Sequence, residues 1–274
     1  MKTEFCPDIQ LKAYSLQLKK SMRFLFRLIP ALLGITTIGA FAALQFDASV
    51  FWQIGGIYMG AVAYGYFELF ARRVRERDFW YAFLLTIFVA VGGMAFFLVL
   101  ESVIGKVAVA LASGILVAVF AEQLYRWFYA PVRIPSYTLD VTTSLMDVCA
   151  IFFCAADAIG LRIFLAVPRW ALAPLFGIIA GTLYAIARWI KGENRTLLVP
   201  TLLVGLLFGE LLWAILLLPS SFMVGGALLA IMWYVTGGVL RTTEAGLPLR
   251  RVLPRYIVVG IGLIATVVLS ARWV

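Results

Sequence analysis

Nine apolar runs of 16 to 22 residues follow one another along the chain, separated by short polar gaps. A membrane-spanning helix needs about 20 mainly apolar residues, so runs of this length predict transmembrane helices. The predicted spans are 28–46, 50–70, 81–100, 107–125, 141–160, 170–187, 197–218, 222–240 and 256–271. The pattern predicts an all-α fold, a polytopic transmembrane helical bundle that forms a single domain over residues 28–274.

The lysines and arginines are divided unevenly between the gaps. Of the 23, 19 lie in the N-terminal segment or in the gaps after the second, fourth, sixth and eighth runs, and 4 lie elsewhere. Cytoplasmic loops hold the excess of Lys and Arg, so this alternation predicts nine spans with the N-terminus inside and the C-terminus outside. The fifth run is the most polar, but if it did not span, every later loop would invert and the contrast would collapse.

The segment 1–27 combines an apolar stripe and a basic stripe. Its large apolar residues recur at the three- and four-residue steps of a helix, and they are Leu11, Tyr14, Leu18, Met22 and Leu25. The opposite stripe contains Lys12, Lys19, Arg23 and Arg27. This pattern predicts a basic amphipathic helix that lies in the membrane interface. Contact with anionic lipid headgroups accounts for the basic stripe, and docking of a cytosolic partner is the alternative.

The composition agrees with a membrane protein. Apolar residues make up 64% of the chain, charged residues make up 14%, and the mean hydropathy is +1.00, whereas soluble domains average about 25% charged residues. The net charge of +9 is concentrated beside the spans, where topology and anionic lipids account for it. We therefore expect a lipid bilayer as the partner and no binding to nucleic acid.

The residue types that are missing restrict the chemistry. The chain has no histidine, which excludes Ser-His-Asp and Cys-His catalysis and the His-based zinc sites of membrane proteases. It has no Walker A loop, and its 3 cysteines do not form a disulfide framework. We predict no catalytic residue, no metal and no cofactor, and a lipid-modifying enzyme is the weakest of the alternatives.

Two carboxylates lie inside predicted spans without an obvious basic partner. Glu210 has no Lys or Arg within ten positions on either side. Asp147 shares a predicted helix face with Asp140 and Ser144. An ionisable residue in hydrocarbon is costly, and it normally marks a partner or a function. If the fifth and seventh helices touch, these residues form one polar site in the membrane; the alternative is an interhelical hydrogen bond that only stabilises the bundle.

The other carboxylates of the spans have arginines close to them in the sequence. Glu68 precedes Arg72 by four residues, as Glu122 precedes Arg126. This spacing places each pair on one helix face and predicts local ion pairs near the cytosolic interface. Asp157 lies near the predicted outer end of the fifth helix, where we expect it to be hydrated or paired with an arginine.

Arginines in two of the predicted inner gaps are candidates for contact with the phosphate of a lipid headgroup. They are Arg126, Arg133, Arg250, Arg251 and Arg255. The alternative, which we favour, is that they only set the topology by the positive-inside rule.

Small residues at a spacing of four allow two helix backbones to approach closely in a membrane. Three glycine pairs have this spacing, namely Gly56/Gly60, Gly177/Gly181 and Gly205/Gly209. We predict that all three pairs pack inside the bundle and do not form dimer faces.

The last part of the chain resembles uncharacterised polytopic membrane proteins of bacteria. The resemblance begins at the stretch 218–221, which reads Leu-Pro-Ser-Ser, and continues through the arginine-rich loop into the last helix. It covers roughly the last 60 residues and includes no catalytic motif. It implies a bacterial inner-membrane location and no activity.

Two hypotheses about function follow from these observations. In the first, the chain is a non-enzymatic membrane component or scaffold of the cell envelope that binds a membrane-protein partner, and its carboxylates are structural. In the second, it is a small transporter or lipid-handling protein in which Asp147 and Glu210 line a midplane polar site. We favour the first hypothesis because two carboxylates do not establish a transport pathway.

Overall fold

A computed structural model describes residues 28–70, 77–129, 136–189, 198–244 and 249–270. Within these ranges the secondary structure is helical throughout, with nine α-helices and one short 3-10 helix, Ala48–Val50. The α-helices are α1 (Leu28–Phe46), α2 (Phe51–Leu69), α3 (Arg77–Val99), α4 (Val103–Tyr129), α5 (Ser136–Leu165), α6 (Arg169–Trp189), α7 (Leu198–Ile215), α8 (Phe222–Glu244) and α9 (Leu249–Ser270). The predicted amphipathic helix in 1–27 lies outside the described residues.

Seven of these helices, α1 and α3 to α8, are long and apolar enough to cross a membrane. The prediction of an all-α polytopic membrane protein is confirmed at this level. Helix α2 has the length, at 19 residues, but is less apolar because of its glycines, its tyrosines and Gln53. In α9 only Tyr256–Leu269 is apolar. The outer surface of the bundle carries large exposed aliphatic side chains, for example Ile104 and Val258, as a surface in hydrocarbon requires.

Several helices extend beyond the apolar runs that predicted them. Helix α5 begins at Ser136, ahead of the predicted span 141–160, and α9 begins at Leu249 instead of 256. Hydropathy identifies the part of a helix that lies in hydrocarbon, whereas backbone hydrogen bonding continues into the polar interface. The apolar runs therefore give the position of each helix but not its ends.

Helix α5 occupies the centre of the bundle and packs against α3, α4, α6 and α8. Its contacts with α3 and α8 depend on glycines of these two neighbouring helices. A Cβ atom added to Gly226 of α8 would lie 3.1 Å from the carbonyl oxygen of Phe152, and one added to Gly92 of α3 would lie 3.2 Å from Phe153 Cβ. Helices α6 and α7 form a pair beside this core, and α9 packs on α8.

The turn between α1 and α2 is closed by Asp47. Its carboxylate accepts hydrogen bonds from the backbone amide and the hydroxyl of Ser49, at 2.9 and 2.7 Å. These two bonds favour the ionised form and lower the pKa of Asp47 from its ordinary value. The short turn between α1 and α2 is thus held by a local side-chain interaction.

Helix α2 is tied to its neighbours by two buried tyrosines. The Tyr58 hydroxyl lies 3.0 Å from Thr37 Oγ1 on α1, and the Tyr66 hydroxyl lies 2.7 Å from Thr86 Oγ1 on α3. The opposite face of α2 is exposed. Gly56 and Gly60 lie there, and a Cβ atom added to either would meet nothing within 4 Å. The prediction that this glycine pair packs inside the bundle is wrong.

Candidate functional site

Helices α6 and α7 approach each other through their glycines. A Cβ atom added to Gly177 would lie 2.6 Å from the carbonyl oxygen of Gly205, and one added to Gly205 would lie 2.8 Å from the carbonyl oxygen of Gly177. Further along the pair, Gly209 lies against Ala173 and Gly181 lies against Thr201, so the two helices are antiparallel. The prediction that these two glycine pairs pack inside the chain is confirmed, and each pair is the other's partner.

This close approach leaves a groove along the exposed side of the α6 and α7 pair. The groove has a volume of about 700 Å³ and is open to the surroundings of the bundle. Its floor is formed by the glycines, and its walls by larger side chains that include Ile178, Leu206 and Trp213. Ile178 is 66% exposed and Leu206 is 61% exposed. The groove is therefore an apolar surface feature on the outside of the bundle.

Glu210 is the one ionisable residue that lines this groove. Its side chain is exposed. It makes no hydrogen bond or ion pair with any residue that the structure describes. It lies five residues before the end of α7 at Ile215, which is about 8 Å along the helix axis. A carboxylate thus faces an apolar groove from within a helix that is long and apolar enough to cross a membrane.

A basic residue of this chain begins α6 at the same end of the groove. Arg169 is half-buried, and it is one helical turn from Ala173, which contacts Gly209. In the described part of the chain its guanidinium forms no ion pair with Glu210, and its Nε atom is buried without a hydrogen-bond partner. Glu210 is therefore not neutralised from within the α6 and α7 pair.

The structure does not bring Glu210 and Asp147 together in one groove. Asp147 and Ser144 are half-buried on α5, and neither is among the residues that line the groove, all of which belong to α6, α7 or the turn that follows α7. Asp140 lies near the start of α5, and its side chain is outside what the structure describes. The predicted shared polar site requires Asp147 and Glu210 to line one cavity, and only Glu210 lines this groove.

Asp157 is more deeply placed than the sequence indicated. Its Oδ1 atom is buried and has no hydrogen-bond partner among the described residues. Arg162, one turn further on, instead donates to the carbonyl oxygen of Val167 at 3.4 Å. The expectation of a pair with Arg162 is therefore wrong for the described residues. A Cβ atom added to Gly92 of α3 would lie 3.5 Å from Cys154 Sγ, so this part of α5 is covered by another helix.

The predicted ion pair at the end of α4 is confirmed. Arg126 Nε lies 2.6 Å from Glu122 Oε1. The other headgroup candidates cannot be placed in the same way, because Arg133 is outside the described residues and so are the side chains of Arg250, Arg251 and Arg255. Arg72, the predicted partner of Glu68, also lies outside them.

Comparison with known proteins found no matching protein-family model, no similar curated protein and no similar solved structure. Among the residues that the structure describes, no group of three or more Cys, Asp or Glu side chains is arranged to hold a metal ion. The groove and its carboxylate are therefore interpreted from their own chemistry.

The sequence identified the components of the groove but not their connection. Both glycine pairs and Glu210 were candidates, and Glu210 directly follows Gly209. What was missing is the register between the helices, with Gly177 opposite Gly205. This register shows that Glu210 lies beside the shared glycine surface, in a groove that no residue of α5 lines. Glycine pairs of equal spacing on consecutive helices are the signal that would have suggested it.

Proposed function

We propose that the chain is a non-enzymatic component of a membrane assembly, a scaffold that binds another membrane protein along the groove between α6 and α7. The observation that carries this proposal is the carboxylate of Glu210, which lies in an apolar groove on the outside of the bundle and has no partner among the described residues. Lipid tails would leave that carboxylate without a partner at a considerable cost in free energy. A second protein supplies both the packing surface and the polar group.

The transporter hypothesis receives less support. It needed Asp147 and Glu210 to line one polar site, and Asp147 is not among the residues of the groove. The groove itself is apolar apart from Glu210 and the threonines, of which Thr182 donates its hydroxyl to the carbonyl oxygen of Ile178. A pathway for ions needs a succession of polar groups, which this surface does not offer.

Site-specific photo-crosslinking in the membrane tests the scaffold proposal. A photoreactive residue replaces Ile178 in the groove, and a matched control replaces Ile35 on α1, which is 64% exposed but does not line the groove. We expect the Ile178 position to form an adduct whose attachment point maps to a transmembrane segment of one membrane protein. The Ile35 position should give only lipid adducts. Lipid adducts alone at both positions would contradict the proposal.

We further propose that the chain crosses a bacterial inner membrane nine times, with its N-terminus inside and its C-terminus outside. The division of the lysines and arginines supports this orientation. Helices α2 and α9 are not among the seven described helices that are both long and apolar enough to cross a membrane. Packing of α2 on α3 and of α9 on α8 covers part of each helix with protein, so a lower apolar content is tolerated in both.

Reporter fusions test this topology. An exported alkaline phosphatase fused after Val274 should be active, because the reporter folds only outside the cytosol, whereas a fusion in the gap at 71–76 should be inactive. The gaps at 130–135 and 190–197 are also predicted to lie inside, and fusions there should be inactive as well. An inactive C-terminal fusion together with a fluorescent cytosolic reporter at the same site would show an even number of crossings.

A further inference from the structure

We infer that the α6 and α7 groove binds a single transmembrane helix that carries a lysine or arginine at the level of Glu210. This inference rests on the proposed scaffold function and adds the chemistry of the partner. Glu210 is the sole ionisable group of the groove, and it has no partner among the described residues. A basic side chain on the occupant is the group that complements it.

The shape of the groove fits a helix. On α7 its lining extends from Thr201 to Ala214, about 20 Å along the axis, which is most of the hydrocarbon thickness of about 30 Å. The floor is formed by Gly177, Gly181, Gly205 and Gly209, which bring α6 and α7 together and leave a groove between the larger side chains of the two helices.

Charge argues against a second copy of this chain as the occupant. A symmetric pair of chains would present the same surface to each other and bring two Glu210 carboxylates to one interface. Of the four described basic side chains near the helix ends, three are engaged elsewhere, and the fourth, Arg169, begins α6 at the Glu210 end of the groove without pairing with Glu210. Lys106 lies 5.4 Å from the centre of the Phe97 ring, Arg126 pairs with Glu122, and Arg162 donates to a carbonyl oxygen.

The test uses the full chain reconstituted in phosphatidylcholine vesicles and a synthetic transmembrane peptide of leucine and alanine with tryptophan at both ends. One peptide carries a lysine two turns from its outer end, and the matched peptide carries leucine there. Association is measured by energy transfer between labels on the peptide and the chain. We expect the lysine peptide to bind about 3- to 30-fold more tightly than the leucine peptide, the range of polar contacts between membrane helices.

Three variants locate the interaction. Glu210→Gln should abolish the preference for lysine, and Glu210→Asp should retain part of it. Leu206→Trp fills the groove from an exposed position and should weaken both peptides. Leu203→Trp is the matched control, since Leu203 is equally exposed at 61% but does not line the groove, and it should bind both peptides as the unmodified chain does.

Equal binding of both peptides would overturn the inference, and so would a lysine preference that survives in Glu210→Gln. A third outcome also overturns it: phosphatidylethanolamine retained by the chain in native mass spectrometry, dependent on Glu210, with neither peptide bound. That result would assign the groove to a lipid amine. A protein adduct from Ile178 without any lysine preference would leave the scaffold proposal standing and remove only the inference.

Discussion

Replacing Gly177 or Gly205 by alanine is expected to destabilise the protein by about 1–3 kcal/mol, the usual cost of inserting atoms into a packed interface. The new Cβ atom would lie 2.6 or 2.8 Å from a carbonyl oxygen of the facing helix. A backbone oxygen cannot move aside as the end of a flexible side chain can, so the two helices must separate. The measurement is unfolding of the purified protein in detergent, together with its abundance in the membrane.

The matched controls are Gly56→Ala and Gly60→Ala on α2. These glycines have the same spacing, but an added Cβ meets nothing within 4 Å. Alanine is the better helix former by about 1 kcal/mol, so the controls should be neutral or slightly more stable. Equal destabilisation by all four substitutions would show that the contact between α6 and α7 does not determine the cost.

The comparison of these glycine pairs shows how much of the fold was predictable. Length and hydropathy predicted the helices because hydrocarbon demands apolar side chains and internally satisfied backbone groups. The spacing of four predicted that two helices can approach, but not which face is covered. That depends on the neighbours of each helix, and α2 turns Gly56 and Gly60 outward because its tyrosines Tyr58 and Tyr66 face the core.

The candidate site was predictable only in part for the same reason. A charge inside a span is visible in the sequence, and Glu210 was identified in this way. Whether the charge faces the bundle or its surroundings depends on helix rotation, and an apolar helix such as α7 has large apolar residues all around it. Since α7 has no polar face to orient it, its packing against α6 and α8 determines that Glu210 lines an outward groove.

Removing the hydroxyls of Thr37 and Thr86 together is expected to destabilise the protein by about 2–6 kcal/mol, because each substitution leaves a buried tyrosine hydroxyl without a partner, at a cost of about 1–3 kcal/mol. Thr37 Oγ1 donates its one hydrogen to the carbonyl oxygen of Leu33 at 2.7 Å, so Tyr58 is the donor in the 3.0 Å contact between them. Thr37→Val therefore removes the acceptor of Tyr58. Thr86→Val removes the partner of Tyr66, which is 0% exposed.

The two contributions should add. The tyrosines are eight residues apart, about 12 Å along α2, and they bind different helices, which is the condition under which separate substitutions are independent. Unfolding of the two single variants and the double variant measures the sum. Because α2 is not among the helices that are apolar enough to cross a membrane by themselves, we expect its position in the bundle to depend on these hydrogen bonds.

Tyrosine-to-phenylalanine substitutions provide the control that separates a lost hydrogen bond from a lost packing contact. In Tyr66→Phe/Thr86→Val both polar groups are absent and the shapes are nearly kept, so most of the stability should return. Thr37→Ser retains the acceptor for Tyr58 and should cost less than Thr37→Val. If Tyr66→Phe/Thr86→Val is as unstable as Thr86→Val alone, side-chain shape and not hydrogen bonding holds α2 in the bundle.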